Sequence, residues 1–152
     1  MNILVTGGCG FIGSSLVFRL KDMGHHVIIL DKKATNSNSY SFDISEYSNF
    51  KQLECEDIDM IYHLAAQANG YVSLEEPELD VDSNAKGTLN VCNFARKKNV
   101  KKIIYTSSMA IYGEGDWLSE ENEPSPLSNY GVSKYCGEMY IKQFSQYGID
   151  YT

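Results

Sequence analysis

Tyr130 and Lys134 are the pair of side chains in this sequence with the clearest chemical potential. Their i, i+4 spacing places a phenol and an ammonium on one face of a helix, with Cβ atoms roughly 5–6 Å apart. A tyrosine serves as a base near neutral pH only if its phenolate gains ~4 kcal/mol of stabilisation. A unit positive charge ~5 Å away contributes about 3 kcal/mol at an effective dielectric of ~20. The pair is therefore a candidate base with its own activating cation.

Spacing alone does not identify this pair, because Tyr47 and Lys51 are also four residues apart. The first pair follows an apolar run that ends at Tyr105 and continues into the hydroxyl-bearing segment 106–108. Ligands of doubly wound sheets bind at the carboxyl ends of the strands, where these hydroxyls would emerge. Position therefore favours Tyr130 over Tyr47 as the reactive tyrosine.

A glycine-rich segment, TGGCGFIG, lies between the first predicted strand and the first predicted helix. It satisfies GxGxxG at Gly8, Gly10 and Gly13, and GxxGxxG when Gly7 replaces Gly8. Small residues are needed here because a tight turn must bring backbone N–H groups against a pyrophosphate at the positive end of the helix. The segment predicts a dinucleotide site, and the alternative is an ordinary glycine turn.

Asp31 ends the second predicted strand, where a carboxylate can accept hydrogen bonds from the adenosine ribose hydroxyls. The same carboxylate would repel a 2′-phosphate, so we expect NAD to be preferred over NADP. Lys32 and Lys33 follow immediately, and either could bind that phosphate, so NADP stays open as the alternative cofactor.

The elements that must position these residues form a β-α-β rhythm across the chain. Short β-branched runs predict buried parallel strands, and they lie at 3–5, 27–30, 60–64 and 102–105. Helices are expected at 11–24, 79–98 and 130–147, and a polar loop at 36–41 with one short strand beyond it. We therefore expect one α/β domain, residues 1–152, with a doubly wound parallel sheet.

Composition limits the classes of partner. The formal charge of −7 argues against binding to nucleic acid or to an anionic membrane, and no apolar run approaches the ~20 residues of a membrane span. We expect a cytoplasmic protein. Four cysteines are widely spaced without a CxxC pair, so we expect buried thiols, no disulfide and no metal site: Cys9, Cys55, Cys92 and Cys136.

Several motifs in order along the chain resemble the extended short-chain dehydrogenase/reductase family, in its NAD-dependent sugar-nucleotide epimerase/dehydratase branch. They are TGGCGFIG, Asp31, Asp43-Ile44, HLAAQ at 63–67, Asn84 with Gly87-Thr88, TSSMAIYG and YGVSK. The resemblance implies an NAD(P)-binding Rossmann fold, NAD as cofactor, a nucleotide-sugar substrate, most commonly a UDP-sugar, and a homodimer formed through the two longest helices.

The resemblance also implies residue roles. Ser108 would be the catalytic hydroxyl, Tyr130 the base, and Lys134 the cation that activates it and bonds the nicotinamide ribose. Asn84 would lie near that ribose, with a solvated helix asparagine as the alternative, and His63 would be structural. The expected cofactor-binding residues are Gly7, Gly10, Phe11, Ile12, Gly13, Asp31, Lys32, Asp43, Ile44, Leu64, Ala65, Ala66, Asn84, Thr106, Tyr130 and Lys134.

The residue at position 110 distinguishes between the reactions of this family. Dehydratases and decarboxylases of this family usually carry a carboxylate two residues before the tyrosine of the YG pair, and here that residue is Ala110. Ser108, Tyr130 and Lys134 suffice to oxidise a sugar hydroxyl as hydride passes to NAD, and return of the hydride to the opposite face gives epimerisation. We expect an epimerase, with a dehydratase or reductase of the same family as the alternative.

The family completes its sugar-nucleotide site with a smaller C-terminal region that these 152 residues do not include. A β-like segment begins at Ile149, close to the last residue. We therefore expect an N-terminal cofactor-binding part that is inactive by itself. The alternative is an NAD-binding module without catalysis.

Overall fold

The computed structural model describes residues 1–35, 38–115 and 117–152. Six strands form one parallel sheet in the order β3-β2-β1-β4-β5-β6, which confirms the predicted doubly wound architecture. The strands are β1 Asn2–Thr6, β2 His26–Leu30, β3 Ser39–Tyr40, β4 Met60–His63, β5 Lys102–Tyr105 and β6 Asp150–Tyr151.

The register of the sheet brings the carboxyl ends of the central strands to one edge. Thr6 of β1 is aligned with Leu30 of β2 and with His63 of β4, and His63 is aligned with Tyr105 of β5. Residues that follow these four strand ends in the sequence therefore meet in space, although up to a hundred residues separate them along the chain.

Within the described residues, five α-helices, one π-helical segment and three 3₁₀ helices accompany the sheet. The α-helices are α1 Phe11–Asp22, α2 Gly70–Glu75, α3 Pro77–Asp80, α4 Gly87–Lys98 and α5 Asn129–Phe144. A π-helical segment, Val81–Lys86, joins α3 to α4, and 3₁₀ helices span Tyr47–Leu53, Met109–Tyr112 and Ser145–Tyr147. The helix predicted at 79–98 is thus a nearly continuous element that contains a π turn.

Alternation along the strands divides the core between the two faces. Ile3 and Val5 of β1 pack with Val17 and Leu20 of α1, whereas Leu4 between them faces a larger cluster on the opposite side. That larger cluster includes Val91 and Phe94 of α4 and Ile141 and Phe144 of α5. A side-chain period of two therefore buries both faces of a continuous apolar strand.

Two features differ from the prediction, and a third agrees with it. The short strand β3 lies inside the stretch 36–41 that we expected to be a loop, because Ser39 and Tyr40 pair with the edge of β2; Asn36 and Ser37 lie outside the described residues. The helix α2 was not predicted. Residues 150–152 already pair with β5 through backbone hydrogen bonds, so the strand that begins after Ile149 extends the sheet within this chain.

The cysteines differ from the prediction in burial. All four are free thiols, but Cys92 alone is buried, while Cys9 and Cys55 are exposed and Cys136 is intermediate. Cys9 is exposed because it lies at the tip of the glycine-rich turn, and Cys55 because it lies in the turn after a 3₁₀ helix. In the described ranges, no helix combines the length and apolar character needed to cross a bilayer, and no cluster of three potential metal ligands is present.

Candidate functional site

The glycine-rich turn brings α1 close against the ends of β1 and β4. Gly7 has φ +71°, and a Cβ atom there would lie 2.7 Å from the backbone nitrogen of Ala65. A Cβ atom at Gly13 would overlap the carbonyl oxygen of Gly7. The turn closes through a 3.0 Å hydrogen bond from the Gly10 N–H to the Gly7 carbonyl. The first N–H groups of α1, which have no partner within a helix, therefore point out of a turn that has no side chains in the way.

Asp31 is held rigidly at the end of β2. Its Oδ2 accepts a 3.0 Å hydrogen bond from the backbone N–H of Cys9, and its Oδ1 accepts one of 2.9 Å from the backbone N–H of Lys33. The carboxylate therefore bridges the glycine-rich turn and the segment after β2.

Lys32, which the sequence left open as a ligand for a 2′-phosphate, is engaged elsewhere. Its Nζ forms an ion pair with Oδ2 of Asp43 at 2.6 Å. Burial opposes ionisation of Asp43, but hydrogen bonds from Lys32 and Ser45 outweigh it and lower the pKa of this carboxyl. Of the two lysines, Lys33 remains without an ion pair among the described residues.

A groove of about 320 Å³ runs along this edge of the sheet, which is within the range of small-molecule sites. Its lining includes predicted cofactor-binding residues from four separate segments of the chain: Gly7, Gly10, Asp31, Lys32, Asp43, Ile44, Leu64, Ala65 and Ala66. It also includes Lys33, which the sequence left open as a ligand for a 2′-phosphate, and residues for which the sequence predicted no role in cofactor binding: Leu30, Phe42, Gln67, Leu79 and Ser83.

Other predicted residues lie outside the groove lining. Phe11 is 96% exposed and Ile12 is exposed at the start of α1, so their side chains contact no groove wall, and Gly13 is buried beneath the turn. Tyr130, Lys134, Thr106 and Asn84 lie beyond the groove toward β5 and α5, and are considered next.

Ser108 caps the 3₁₀ helix that follows β5, because its Oγ accepts a 3.2 Å hydrogen bond from the N–H of Ala110. Its hydroxyl proton is therefore still available to donate. Ser108 and the neighbouring Ser107 line a second, more open cavity of about 730 Å³ together with Tyr112 and Glu138. The Oγ of Ser107 is buried and lacks a hydrogen-bond partner among the described residues.

Lys134 is buried to 2% exposure in α5. Its Nζ donates a 2.7 Å hydrogen bond to the carbonyl of Thr106 and lies 4.1 Å from the centroid of the Tyr105 ring. Desolvation lowers the pKa of this amine to about 8, although the carboxylates of Glu138 and Asp80 oppose the change. An ammonium has three N–H donors, and within the described chain only one of them is used.

Tyr130 is the second residue of α5 and is half buried, one helical turn before Lys134. The rival pair is arranged differently, because Tyr47 and Lys51 lie in a 3₁₀ helix, where residues four apart do not share a face. Tyr47 stacks on Phe50, with the ring centroids 5.8 Å apart, and lines neither of the two cavities described above. The geometry thus distinguishes two pairs that have the same spacing in the sequence.

His63 is completely buried, and its hydrogen bonds define its proton positions. The Thr88 hydroxyl donates to the carbonyl of Asn84 at 2.5 Å, so its bond with Nε2 of His63 at 2.9 Å is donated by the imidazole. Nδ1 must then accept from the Thr6 hydroxyl at 2.7 Å. Burial, with the nearby Lys134 ammonium, lowers the pKa of His63 to about 3. The imidazole is a neutral structural link, as the sequence indicated.

Asn84 lies in the π-helical segment, where it is buried and bonded on all sides, so the alternative of a solvated asparagine is wrong. Its Oδ1 accepts from the N–H of Gln67 at 2.8 Å, and its Nδ2 contacts the Gln67 carbonyl at 3.0 Å. Nδ2 also reaches Asp80 at 3.2 Å and Ser133 at 3.1 Å. Sequence reasoning missed Asp80; its one signal was a carboxylate with apolar neighbours, four residues before Asn84.

Comparison with known proteins agrees with this geometry. The family model described as "NAD dependent epimerase/dehydratase family" matches residues 3–152. The chain is 43% identical over 167 aligned residues to a protein from Methanocaldococcus jannaschii that carries a provisional assignment as a UDP-glucose 4-epimerase, and 34% identical to the UDP-glucose 4-epimerase of Mycolicibacterium smegmatis. Each alignment covers 99% of this chain and 53% of the relative.

Solved structures give the same result. The UDP-glucose 4-epimerase of Thermotoga maritima with UDP-glucose superposes with a TM-score of 0.92 at 38% identity. That of Thermus thermophilus in complex with NAD superposes with a TM-score of 0.92 at 34% identity. Each match covers 99% of this chain and 53% of the other. The chain thus spans about half the length of the relatives it matches, and by its sequence and its fold it belongs to the NAD-dependent epimerase/dehydratase family.

Proposed function

We propose that this chain is the NAD-binding, N-terminal part of a nucleotide-sugar epimerase. One observation carries the proposal. A single edge of the sheet holds a side-chain-free glycine turn, a fixed carboxylate at Asp31 and a buried lysine with unused donors. These are the groups that a dinucleotide requires for its pyrophosphate, its adenosine ribose and its second ribose.

The residues present fit NAD. The amides at the start of α1 would hold the pyrophosphate, and Asp31 would bind the adenosine ribose. Asp43 and Ile44 would border the adenine, and Leu64 to Ala66 would line the middle of the groove. Of Lys32 and Lys33, only Lys33 has no ion pair among the described residues and is free for a 2′-phosphate. The Asp31 carboxylate beside it would repel that phosphate, which supports NAD over NADP.

Three side chains would perform the proton chemistry. Bound NAD would supply the acceptor for a hydride from a sugar carbon and then return that hydride. Tyr130 would remove and restore the proton of the sugar hydroxyl, and Ser108, with its proton free, would hydrogen-bond the same oxygen. Lys134 would activate Tyr130 and bind the second ribose. Ala110 offers no carboxylate for eliminating water, so epimerisation is favoured over dehydration or simple reduction.

The relatives named above act on UDP-sugars, and we extend that substrate class to the whole protein of which this chain would be the cofactor-binding domain, residues 1–152. A homodimer through α4 and α5 and a cytoplasmic location stay predictions. If the chain acts alone, NAD binding without turnover is the function that its length supports, because half of the relatives' length is not included.

Calorimetric titration of the chain with NAD and with NADP tests the proposal. We expect saturable NAD binding that is tighter than NADP binding, and a reversed preference in Asp31→Ala. An assay with UDP-glucose and UDP-galactose should show no measurable turnover by this chain. Failure to bind either cofactor would refute the proposal, and robust epimerisation would show that residues 1–152 build a complete site.

A further inference from the structure

Asp80 is a carboxylate with no exposed surface, at the end of α3. Among the described residues, no lysine, arginine or histidine forms an ion pair with it. A buried charge without a cation is costly unless hydrogen bonds replace its hydration. The neighbours of Asp80 must therefore supply the hydrogen bonds that its carboxylate oxygens lose on burial.

Those neighbours come from three elements. Oδ1 of Asp80 accepts hydrogen bonds from Nε2 of Gln67 at 2.9 Å and from Nδ2 of Asn84 at 3.2 Å. Oδ2 accepts a 2.5 Å hydrogen bond from the hydroxyl of Ser133. A single side chain therefore joins the loop after β4, the π-helical segment and α5.

Each end of this network leads to the site. Gln67 lines the nucleotide groove, and both its backbone N–H and its carbonyl are bonded to Asn84. Ser133 lies on α5 between Tyr130 and Lys134, and does not line the groove. Resting on the proposed function, we propose that Asp80 is a positioning residue that couples the nucleotide groove to the Tyr130 and Lys134 face of α5.

Substitutions at Asp80 can test its hydrogen-bonding geometry apart from its negative charge. In Asp80→Asn, the amide oxygen could accept from Gln67 and Asn84, and the amide nitrogen could donate to Ser133. The Ser133 hydroxyl would then donate to the carbonyl of Tyr130, which already lies 3.0 Å away. Asp80→Asn should therefore keep the coupling, whereas Asp80→Ala removes the one acceptor group that joins Gln67, Asn84 and Ser133.

A double-mutant cycle on NAD affinity tests the coupling. Hydrogen bonds to a charged acceptor are each worth about tenfold or more in an equilibrium constant, so removing the carboxylate that orients Gln67 and Ser133 should weaken NAD binding about tenfold in Asp80→Ala. Ser133→Ala should also weaken it, but should add nothing in the Asp80→Ala background, because the link is already broken. Asp80→Asn should stay within about threefold of the wild type. Asp82, two residues after Asp80, is an exposed carboxylate; Asp82→Asn is the matched control and should have no effect.

A second readout requires no cofactor. In NMR spectra of the free chain, Ser133→Ala should shift the side-chain amide of Gln67, which it reaches only through Asp80 and Asn84. This NMR measurement tests the coupling even if Asp80→Ala fails to fold. Additive effects in the cycle, equal losses in Asp80→Asn and Asp80→Ala, or an unshifted Gln67 amide would each overturn the proposal. If the wild type binds no NAD, the proposed function fails, and the NMR arm still decides the coupling.

Discussion

Lys134→Met should change how the stability of this chain depends on pH. Burial lowers the pKa of Lys134 to about 8 from an ordinary value of 10.5. At 1.36 kcal/mol for each tenfold change, burying the ammonium costs about 3 kcal/mol at neutral pH. Because the folded-state pKa is the lower one, the unfolded chain binds more protons between pH 8 and 10.5. The free energy of unfolding should therefore rise with pH in that window.

Urea unfolding at pH 7, 8, 9 and 9.5 measures this effect. The free energy of unfolding of the wild type should rise by about 2 kcal/mol between pH 7 and 9.5. Lys134→Met lacks the titrating amine and should show no such gain. At pH 7 the variant should be more stable by up to about 2 kcal/mol, since the unsatisfied Thr106 carbonyl costs about 1–3 kcal/mol. Parallel pH profiles for the two proteins would refute the reasoning.

Four further changes have defined outcomes. Gly13→Ala should destabilise the chain by about 1–3 kcal/mol in thermal or urea unfolding, because overlap with the Gly7 carbonyl outweighs the gain of ~1 kcal/mol in helix propensity; unchanged stability would contradict this. From pH 7 to 5 the wild type should lose about 2 kcal/mol as unfolded His63 takes up a proton, and His63→Leu should lack this slope. Adding Asp43→Asn to Asp31→Ala should tighten NADP binding by calorimetry, because Lys32 is released from its ion pair; no change would show that Lys32 cannot reach the phosphate. In a longer protein that also carries the part of the relatives not covered by this chain, Tyr130→Phe should abolish turnover and keep NAD bound. Equal loss of turnover in Tyr47→Phe would show that our choice of tyrosine is wrong.

The glycine turn and the central strands could be predicted because each depends on local chemistry. A run of β-branched residues can be buried on both faces in few ways, and a tight turn before a helix requires small residues. The approach of Gly7 to Ala65 is a tertiary contact, yet it is already implied by the order of strand, turn and helix. The short β3 was not predictable in the same way, because its two residues depend on the edge of β2 rather than on their own pattern.

The polar interior could not be predicted because its partners are distant in the sequence. The i, i+4 spacing placed Lys134 on the same face as Tyr130, but gave no sign that its Nζ would lie on the Thr106 carbonyl. Asp80 was missed for a related reason. A carboxylate in a helical pattern is normally exposed, and the π-helical segment after it changes the periodicity from which its side-chain direction would be inferred.

Among the described residues, three ionisable side chains are buried around this site: His63, Asp80 and Lys134. They differ in the free energy that their burial costs. His63 is neutral at pH 7 in both the folded and unfolded chain, so its burial costs almost nothing there. Asp80 accepts hydrogen bonds from three donors. Desolvation of the Lys134 ammonium costs about 3 kcal/mol of folding free energy at neutral pH. Two of its N–H donors have no acceptor among the described residues. A ribose diol has two hydroxyl oxygens to accept those donors, which gives the cost a functional reason. Lys134→Met is therefore expected to gain stability and lose NAD affinity in the same protein, the trade-off of a residue retained for binding.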